Sequence, residues 1–390
     1  MQKKILRWLR KLVWKPKLKF VDSELEQIKK ENLYRKLRYG TSDKAFIKIN
    51  GRNLINLCSN DYLGIPKTEI GVKQMQSSSR LVSGNDELYK TLEKKLAIHK
   101  SEGASLVYPT GYMANLGVIP AIAKKGDLIL SDELNHASII EACKLSEAKV
   151  IIYKHNDIED LENKIKEKSN NKFVITEGVF SMDGDFAMLK EISEISKKTN
   201  AVILLDDAHG DFVVGKKGKG TGNHFGVSKY IDVYTSSLSK GLGSFGGYIS
   251  SQKNVIDLCV NKSKSFIYTS ALPSIFLEHA IKRLEYDKTN HQKKLQEMVK
   301  IMSSRLSQIG YQIDSKTHII PLIIGSEKSA MSFGKYLYDN GIYAQPIRYP
   351  TVPKNKARIR ISITAWLSKK EIEKTLAVFE NAYCKFVKNN

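Results

Sequence analysis

The chain has few cysteines and no long apolar run, and each shortage excludes a class of protein. Its four cysteines, Cys58, Cys143, Cys259 and Cys384, lie far apart and have neither metal-ligand nor redox spacing. This usage is typical of small buried residues in a reducing compartment, so we expect a cytoplasmic protein that binds no metal. No stretch approaches the ~20 apolar residues that a membrane-spanning helix needs.

Acidic residues are scarce beside basic ones, with 41 Asp and Glu against 63 Lys and Arg and a formal net charge of +22. Such an excess raises nucleic acid as a partner. However, the lysines are spread along the chain with acidic residues between them, and no zinc-finger or RNP-type motif occurs. We therefore expect no nucleic-acid partner and a lysine-rich solvated surface that favours an anionic substrate.

The one compact basic block is residues 1–20, where Trp8, Leu12 and Trp14 stand among lysines and arginines. This spacing fits a basic amphipathic helix, which could rest on an anionic membrane surface. It lacks the apolar core and the cleavage site of a secretory signal. We expect a disordered or loosely docked extension, with membrane contact as the minor alternative.

From residue 105 onward, short β-rich runs alternate with helical segments, which predicts an α/β domain with a mostly parallel sheet flanked by helices. The predicted strands are Ser105–Tyr108, Asp127–Leu130, Lys149–Tyr153, Phe173–Thr176, Ala201–Leu205, Tyr230–Tyr234 and Tyr248–Ser250. The predicted helices between them are Ala114–Ala123, Ala137–Leu145, Asp157–Lys168 and Leu189–Thr199. Ligands of such sheets lie beyond the carboxyl ends of the strands.

The flanking segments predict three units: a basic extension and helix over 1–48, the large α/β domain over 49–285, and a smaller α+β domain over 286–390. Further predicted elements are a helix Asp22–Arg38, a hairpin Phe46–Leu57, a non-helical stretch Ser77–Asn85, a helix Asp86–Lys100, a long helix from Pro273 to Lys300, strands Ile319–Ile324 and Arg358–Ile363, and a helix Ser368–Phe386.

Lys240 stands between a hydroxyl-rich segment and a glycine-rich one, in the stretch Tyr234–Gly247. Hydroxyls such as that of Ser237 can bind an anionic group, and glycines allow backbone to approach a flat ligand closely. A lysine held there could lose its proton and form an imine with a carbonyl. Taken alone, however, the stretch is more typical of a polar loop with an exposed lysine.

Polar residues at the other strand ends supply partners for such a lysine. Asp206, Asp207 and His209 follow one strand. There Asp206 could bind a cationic ring nitrogen and His209 a phenolate, the adjacent acids and the histidine could hold a metal, or Asp206 could cap the next segment. Glu177 ends the preceding strand, and His136 follows another, where it could equally be a core histidine. Thr110, Gly111 and Tyr112 open a helix whose amides suit phosphate, although Thr110 could be an ordinary cap.

Together these residues offer a phosphate cup, an aromatic ring to stack, a carboxylate for a ring nitrogen and an imine-forming lysine. That set suits pyridoxal 5'-phosphate (PLP), whose pyridinium acts as an electron sink and needs an acidic partner. His99, His155, His224, His279, His291 and His318 lie in contexts without evident partners and receive no role.

With these residues assembled, the chain from about residue 32 to the C-terminus resembles the α-oxoamine synthases, a family of PLP enzymes with the fold-type I transferase fold. The motifs that carry the resemblance are Asn60–Gly64, Arg80–Asn85, Thr176–Asp185, Asp206–Gly210 and Ser237–Gly241.

The resemblance implies that Lys240 carries the cofactor as an imine and later moves the Cα proton. It implies that Asp206 holds the pyridine nitrogen protonated, that His209 bonds the ring phenolate, and that His136 stacks on the ring. Further implied cofactor residues are Gly111, Tyr112, Glu177, Ser181 and Ser237, with Thr269 and Ser270 reaching the phosphate of the partner subunit in a homodimer with shared active sites.

For the substrates, the resemblance implies decarboxylative condensation of an amino acid with an acyl thioester, carried by CoA or a carrier protein. Arg360 is expected to bind the amino-acid carboxylate as a bidentate fork. Arg358 is expected to lie on the other face of the strand as a surface charge. Asn60, Thr351, and Arg35 or Lys36 are further candidates for substrate contacts.

Three local features favour the family members that join alanine to a pimeloyl thioester in biotin synthesis. They are Leu81–Asn85, Asp207–Gly210 and Ile347–Pro353, whose amino-acid sequences are similar to the corresponding motifs of those members. Condensation of glycine with acetyl-CoA, or of serine with a long-chain thioester, is the alternative. A remote alternative is a basic binding protein built on an inactive scaffold, which the intact set of Asp206, His209, Lys240 and Arg360 opposes.

Overall fold

The computed structural model describes residue 18 and residues 20–71 and 78–387. The predicted basic extension over residues 1–20 therefore lies almost entirely outside the described residues. Among those described, no helix is both long enough and apolar enough to cross a membrane.

A seven-stranded sheet forms the centre of the molecule, in the order β4-β10-β9-β8-β7-β5-β6. Strands β9, β8, β7, β5 and β6 run parallel to one another, and β10 is antiparallel to both of its neighbours. The strands are β4 (Ala104–Tyr108), β5 (Leu128–Asp132), β6 (Lys149–Tyr153), β7 (Lys172–Glu177), β8 (Val202–Asp206), β9 (Val233–Ser237) and β10 (Gly247–Ser251). This architecture confirms the α/β fold with a mostly parallel sheet.

Two smaller sheets complete the chain. One has the order β1-β2-β3-β12 and the other β11-β14-β13. Their strands are β1 (Gly40–Asp43), β2 (Phe46–Ile49), β3 (Arg52–Asn56), β11 (Ile319–Gly325), β12 (Ile342–Tyr343), β13 (Pro346–Ile347) and β14 (Ala357–Ser362). Because β12 pairs with β3, residues far apart in sequence share one sheet, and the division into three units remains a prediction.

Helices cover the sheets. They are α1 (Phe20–Lys30), α2 (Glu87–Lys100), α3 (Gly111–Ile122), α4 (Ala137–Leu145), α5 (Ile158–Lys164), α6 (Leu189–Thr199), α7 (Thr221–His224), α8 (Lys253–Lys262), α9 (Lys264–Ile267), α10 (Ser274–Glu285), α11 (Thr289–Ile309), α12 (Glu327–Asp339) and α13 (Lys369–Phe386). On α6, Leu189, Ile192 and Ile195 are buried at helical spacing, and burial of each such side chain contributes about 1.5–3 kcal/mol.

The predicted helix Asp22–Arg38 is wrong in its second half. Helix α1 ends at Lys30, and Asn32 takes a left-handed backbone conformation with φ of 57°, which stops the helix. Residues 33–39 form no regular element. The predicted segment Asp157–Lys168 is likewise too long, since α5 ends at Lys164.

The predicted continuous helix from Pro273 to Lys300 is also wrong, because the chain breaks between α10 and α11. The buried Lys288 ammonium donates to the carbonyl oxygens of Arg283, Leu284 and Tyr286 at 3.1, 3.0 and 2.7 Å. It thereby satisfies carbonyls that the end of α10 leaves without helical partners.

Three smaller predictions need correction. The stretch predicted as non-helical contains a π-helical turn at Arg80–Gly84. Strand β9 runs from Val233 to Ser237 rather than from Tyr230 to Tyr234, because residues 228–230 form a 3-10 turn. Of the cysteines expected to be buried, Cys384 is exposed.

Gly184 lies where the loop after β7 meets the start of β11, and its substitution should destabilise the fold. Its φ is +68°, and an added Cβ would lie 2.0 Å from the carbonyl oxygen of Ile319. We expect Gly184→Ala to lower the free energy of unfolding by about 2–4 kcal/mol, from overpacking and backbone strain together. Urea denaturation measures this change.

Gly226 provides the matched control, since its φ is +73° and an added Cβ would meet nothing within 4 Å. Gly226→Ala should cost only the left-handed backbone penalty, about 1 kcal/mol. Equal losses of unfolding free energy in the two variants would show that the clash with the Ile319 carbonyl oxygen does not destabilise Gly184→Ala.

Candidate active site

Four polar residues lie at the same end of the central sheet, here called its carboxyl edge, because the parallel strands that carry them all finish there. Strand β5 ends at Asp132, β7 at Glu177, β8 at Asp206 and β9 at Ser237. Glu177 and Asp206 are directly paired in the register of β7 and β8. The edge is therefore where parallel sheets of this type place a ligand.

Lys240 lies at this edge in a chain of hydrogen bonds. Its Nζ is 2.8 Å from Nε2 of His209, whose Nδ1 is 2.6 Å from the hydroxyl of Tyr62. Burial lowers the pKa of Lys240, with Arg360 adding to the effect while Asp206 and Glu177 oppose it. Burial, Lys240 and Arg360 also hold the pKa of His209 well below its usual range, so its ring is neutral.

Asp206 is 7% exposed and is fixed in place by two donors. Its carboxylate accepts a 2.6 Å hydrogen bond from Nδ2 of Asn115 and a 3.0 Å bond from the backbone N–H of Ala208. Asn115 also donates to Ser138 at 2.9 Å, and Ser138 contacts Nδ1 of His136 at 2.8 Å. The network connects the strand-end carboxylate to the exposed His136 imidazole at the start of α4.

Glu177 is buried, and its Oε1 has no hydrogen-bond partner among the described residues. Burial and the neighbouring Asp206 raise the pKa of Glu177 well above its usual value. Burial therefore favours the protonated form of Glu177, and Oε1 is a polar atom that a ligand could satisfy.

The start of α3 and the end of β9 approach each other closely. Thr110 caps the helix by accepting from the backbone N–H of Met113 at 3.1 Å, which confirms the cap interpretation for this residue. A Cβ added to Gly111 would lie 3.2 Å from Cβ of Ser237, so the absence of a side chain keeps the gap open. The Ser237 and Ser239 hydroxyls are 2.8 Å apart beside the helix amides. Tyr112 packs edge-on against His136, with ring centroids 6.0 Å apart.

Arg360 is 9% exposed and joins the site from β14. Its Nε donates to the carbonyl oxygen of Ser181 at 2.6 Å, and one Nη lies 2.8 Å from the Ser362 hydroxyl. Longer contacts of 3.3 Å connect the same guanidinium to Asn60 and Tyr62. These contacts orient Arg360 beside the Lys240 network.

The expectation that Arg358 is a surface charge on the opposite face is wrong. Residues two apart in a strand point to the same side, so Arg358 and Arg360 share a face of β14. Arg358 is 4% exposed, and its guanidinium forms an ion pair with Asp183 at 2.5 Å. The Arg358 side chain therefore holds the loop after β7 in place through Asp183 and does not face solvent.

Four predicted site residues have no contact with this network among the hydrogen bonds of the described residues. Thr269 and Ser270 lie in the loop before α10, Arg35 is exposed in the segment after α1, and Thr351 is exposed in a turn. Arg348, to which the sequence assigned no role, is buried and donates to the carbonyl oxygen of Asn32.

Sequence reasoning also missed Tyr62, Asn115, Ser138 and His318. Tyr62 lies in a motif that was singled out, and its fully buried ring is the link between His209 and Arg360. Asn115 is a polar residue in an otherwise apolar helix, a signal that could have marked it. His318 had no such signal, although its ring centroid lies 4.0 Å from that of Tyr62.

His155 was given no role, and the structure gives it two carboxylate partners. Its Nδ1 is 2.9 Å from Asp132 and its Nε2 is 2.8 Å from Asp185. Although burial opposes the charged form, these hydrogen bonds raise the pKa of His155 to about 10. The imidazolium connects the loop that carries His136 to the loop that carries Ser181.

We expect His155→Gln to lower the free energy of unfolding by about 1–3 kcal/mol at pH 6, since it removes the charge shared by two partly buried carboxylates. Because the folded-state pKa is raised, the wild-type contribution is complete below the unfolded value of about 6.5 and is lost as pH rises through about 10. Denaturation from pH 6 to 10.5 measures the difference between variant and wild type. A difference that grows with pH would contradict the assignment.

A second buried charge cluster lies behind the Asp206–Gly210 motif. The Lys100 ammonium is 2.9 Å from Asp207 and 2.8 Å from Asp211, and all three side chains are almost completely buried. Because Asp207 faces Lys100 while His209 faces Lys240, these side chains do not converge as metal ligands. The alternative of a metal at this motif is therefore disfavoured.

The residues at this edge fit PLP. The Asp206 carboxylate, with two donors in place, retains acceptor capacity for a ring nitrogen. The helix start with Gly111 and Ser237 is an opening for an anion, and Glu177 has a polar atom to satisfy. Lys240 supplies an amine of lowered pKa in the same space.

Comparison with known proteins agrees with this arrangement. Residues 52–379 match the family described as aminotransferase class I and II. An 8-amino-7-oxononanoate synthase from Thermoanaerobacter pseudethanolicus is 39% identical, with 93% of this chain and 96% of that protein covered. One from Thermosipho melanesiensis is 39% identical, with 92% and 95% covered.

Among solved structures, Sphingomonas wittichii serine palmitoyltransferase has a TM-score of 0.88 at 27% identity and covers 95% of this chain and 98% of its own. A serine palmitoyltransferase solved with PLP has the same TM-score and coverages at 25% identity. The chain therefore belongs to the aminotransferase class I and II family of PLP-dependent enzymes and, within it, to the α-oxoamine synthases.

Proposed function

We propose that the protein joins L-alanine to a pimeloyl thioester with loss of carbon dioxide, giving 8-amino-7-oxononanoate, an intermediate of biotin synthesis. The observation that carries the proposal is the connected set of Lys240, His209, Tyr62 and Arg360, which places an amine of lowered pKa beside a fixed guanidinium. Relatives of that name at 39% identity support the choice of substrates.

The positions of the side chains support the following cofactor-binding roles. Asp206 would hold the ring nitrogen, His209 the phenolate oxygen, and His136 one face of the ring. Gly111, Tyr112 and Ser237 would hold the phosphate, while Glu177 and Ser181 would order the pocket around it. When bound, PLP supplies an electron sink that stabilises negative charge at Cα of the amino acid.

Lys240 would move the proton at Cα of the substrate. Only a neutral amine accepts a proton, and burial lowers the pKa of Lys240 in the direction that favours this form. The neutral His209 ring, 2.8 Å away, places no competing positive charge beside that amine.

Arg360 would bind the amino-acid carboxylate through its planar fork. Its hydrogen bonds to Ser181 and Ser362 fix the guanidinium plane before substrate arrives, which limits the entropy lost on binding. Asn60, which contacts the same guanidinium, would border the amino acid. Thr351, and Arg35 or Lys36, would contact the acyl chain or its carrier.

We further propose a homodimer with shared active sites. Large apolar side chains are exposed on the segments near the predicted partner-facing residues: Tyr268 is 82% exposed, Val82 80% and Leu81 53%. Tyr268 directly precedes Thr269 and Ser270, which would reach the phosphate in the partner subunit. Such a patch on a monomer would be costly in water, and a second copy would cover it.

The absence of disulfides among the described cysteines accords with the predicted cytoplasmic location, which remains a prediction. The expectation that the chain binds no nucleic acid also remains a prediction.

The solved structures raise one alternative, since serine palmitoyltransferases match the fold with a TM-score of 0.88. Identity of 39% to the synthases against 27% to that enzyme favours the pimeloyl substrate. Transfer of an acetyl group to glycine is the second alternative within the family.

A turnover screen separates these substrates. Purified protein with PLP should be offered alanine, glycine and serine in turn with pimeloyl, acetyl and long-chain thioesters, and thiol release measured. We expect alanine with the pimeloyl thioester to give the highest kcat/KM. Glycine with acetyl-CoA, or serine with palmitoyl-CoA, as the best pair would overturn the proposal.

A further inference from the structure

A pocket of about 610 Å³ lies outside the candidate active site, between α11 and the chain that follows the Asp206–Gly210 motif. Its walls include Val213 and Val214 from that chain and Leu295 and Val299 from α11. Ligand pockets in proteins are commonly of this size and lined mainly by apolar side chains. None of the cofactor or substrate residues proposed above lines it.

The mouth of the pocket is positively charged. Lys300 and Lys316 border it with exposed side chains, and no Asp or Glu is among its lining residues in the part of the chain that the structure describes. Neither lysine forms a salt bridge with a described residue. The lining also includes polar uncharged side chains such as Gln296, Ser303 and Ser315, but most of its surface is apolar. A largely apolar pocket with a cationic mouth is complementary to an amphiphile with an anionic head.

The inner end of the pocket is bordered by His318, which is 3% exposed and has an Nε2 without a hydrogen-bond partner among the described residues. Burial lowers the pKa of His318 to about 3, with Arg360 and Lys240 contributing. The ring is therefore neutral near pH 7, and a hydrocarbon chain can pack against it without covering a charge. The same ring packs edge-on against Tyr62.

We propose that this pocket binds a medium-chain carboxylate, with the hydrocarbon chain against the partly exposed Val214 and Val299 and the head group at Lys300 and Lys316. The two lysines are exposed point charges, so the apolar walls contribute most of the affinity and the lysines select the sign of the head. Because His318 both lines the pocket and packs against Tyr62, its side chain connects the bound ligand to the His209 and Lys240 network.

Calorimetric titration of the purified holoenzyme with octanoate tests the proposal. We expect saturable binding of one octanoate per chain, and binding of octylammonium at least tenfold weaker. Val299→Trp, which fills the pocket, should weaken octanoate binding at least tenfold. Lys316→Glu should weaken it about threefold to tenfold, whereas Lys94→Glu, an exposed charge reversal on α2, should leave it unchanged.

Two further measurements keep the outcome independent of folding and of the active site. Lys316→Glu alters an exposed side chain, so its melting temperature should match the wild type. Arg360→Lys should leave octanoate affinity unchanged, while octanoate bound at the catalytic site would lose affinity in that variant. No saturable binding, or equal affinity in wild type and both pocket variants, would overturn the proposal.

Discussion

Replacing Lys240 with alanine should remove the visible absorption of the purified protein with PLP and lower turnover at least about a thousandfold. The reason is geometric, because this amine lies among Asp206, Glu177 and His209 at the carboxyl edge of the sheet. Truncation leaves those groups in place but removes the amine that we propose both joins the cofactor and moves the Cα proton. Absorption spectra and steady-state rates of the same preparation measure the two losses.

The control for this substitution is Lys229→Ala, since the Lys229 ammonium lies over the ring of Tyr230, outside the site. Its spectrum and turnover should match the wild type. If Lys240→Ala kept both the visible band and its turnover, the assignment of Lys240 would be wrong, and with it the site built around that residue.

Arg360→Met should raise the KM for the amino acid and lower its kcat/KM by about 30-fold to several thousandfold. Loss of one partner from a desolvated, hydrogen-bonded charge pair costs about 2–5 kcal/mol, which corresponds to that range. The KM for the acyl thioester should change far less. Initial rates with each substrate varied in turn measure the two effects.

Two variants separate substrate binding from folding. Arg360→Lys retains the charge but loses the fork, so we expect part of the affinity to return and the rest to be lost. Arg358→Met removes the ion pair with Asp183 and should lower the melting temperature. It should raise the KM for the amino acid much less than Arg360→Met does. An unchanged KM in Arg360→Met would exclude this residue as the carboxylate anchor.

The regular alternation of strands and helices was readable from the sequence because it depends on local patterns. Buried strands such as β5 and β7 consist of apolar runs, and parallel pairing then places their terminal residues at one edge. The sequence therefore predicted that Asp206, Glu177 and Lys240 lie in one site. The alternation did not reveal where helices stop, since Asn32 and Lys288 end or separate them through backbone geometry and a side-chain cap.

Contacts between segments far apart in the chain could not be predicted from the sequence. Tyr62 connects His209 to Arg360 across 147 and 298 residues, and no spacing rule predicts such a link. His155 was passed over for the same reason, because its carboxylate partners come from two other loops. Arg358 was misplaced because the two-residue period of the strand was misapplied to it.

The most direct measurement of the central claim is to locate the cofactor on the chain. Borohydride treatment of the purified protein with PLP, followed by protease digestion and mass spectrometry, fixes and maps a lysine–aldehyde linkage. We predict a single modified peptide that contains Lys240, and its absence from Lys240→Ala. A cofactor mass on another lysine, or on none, would contradict the account.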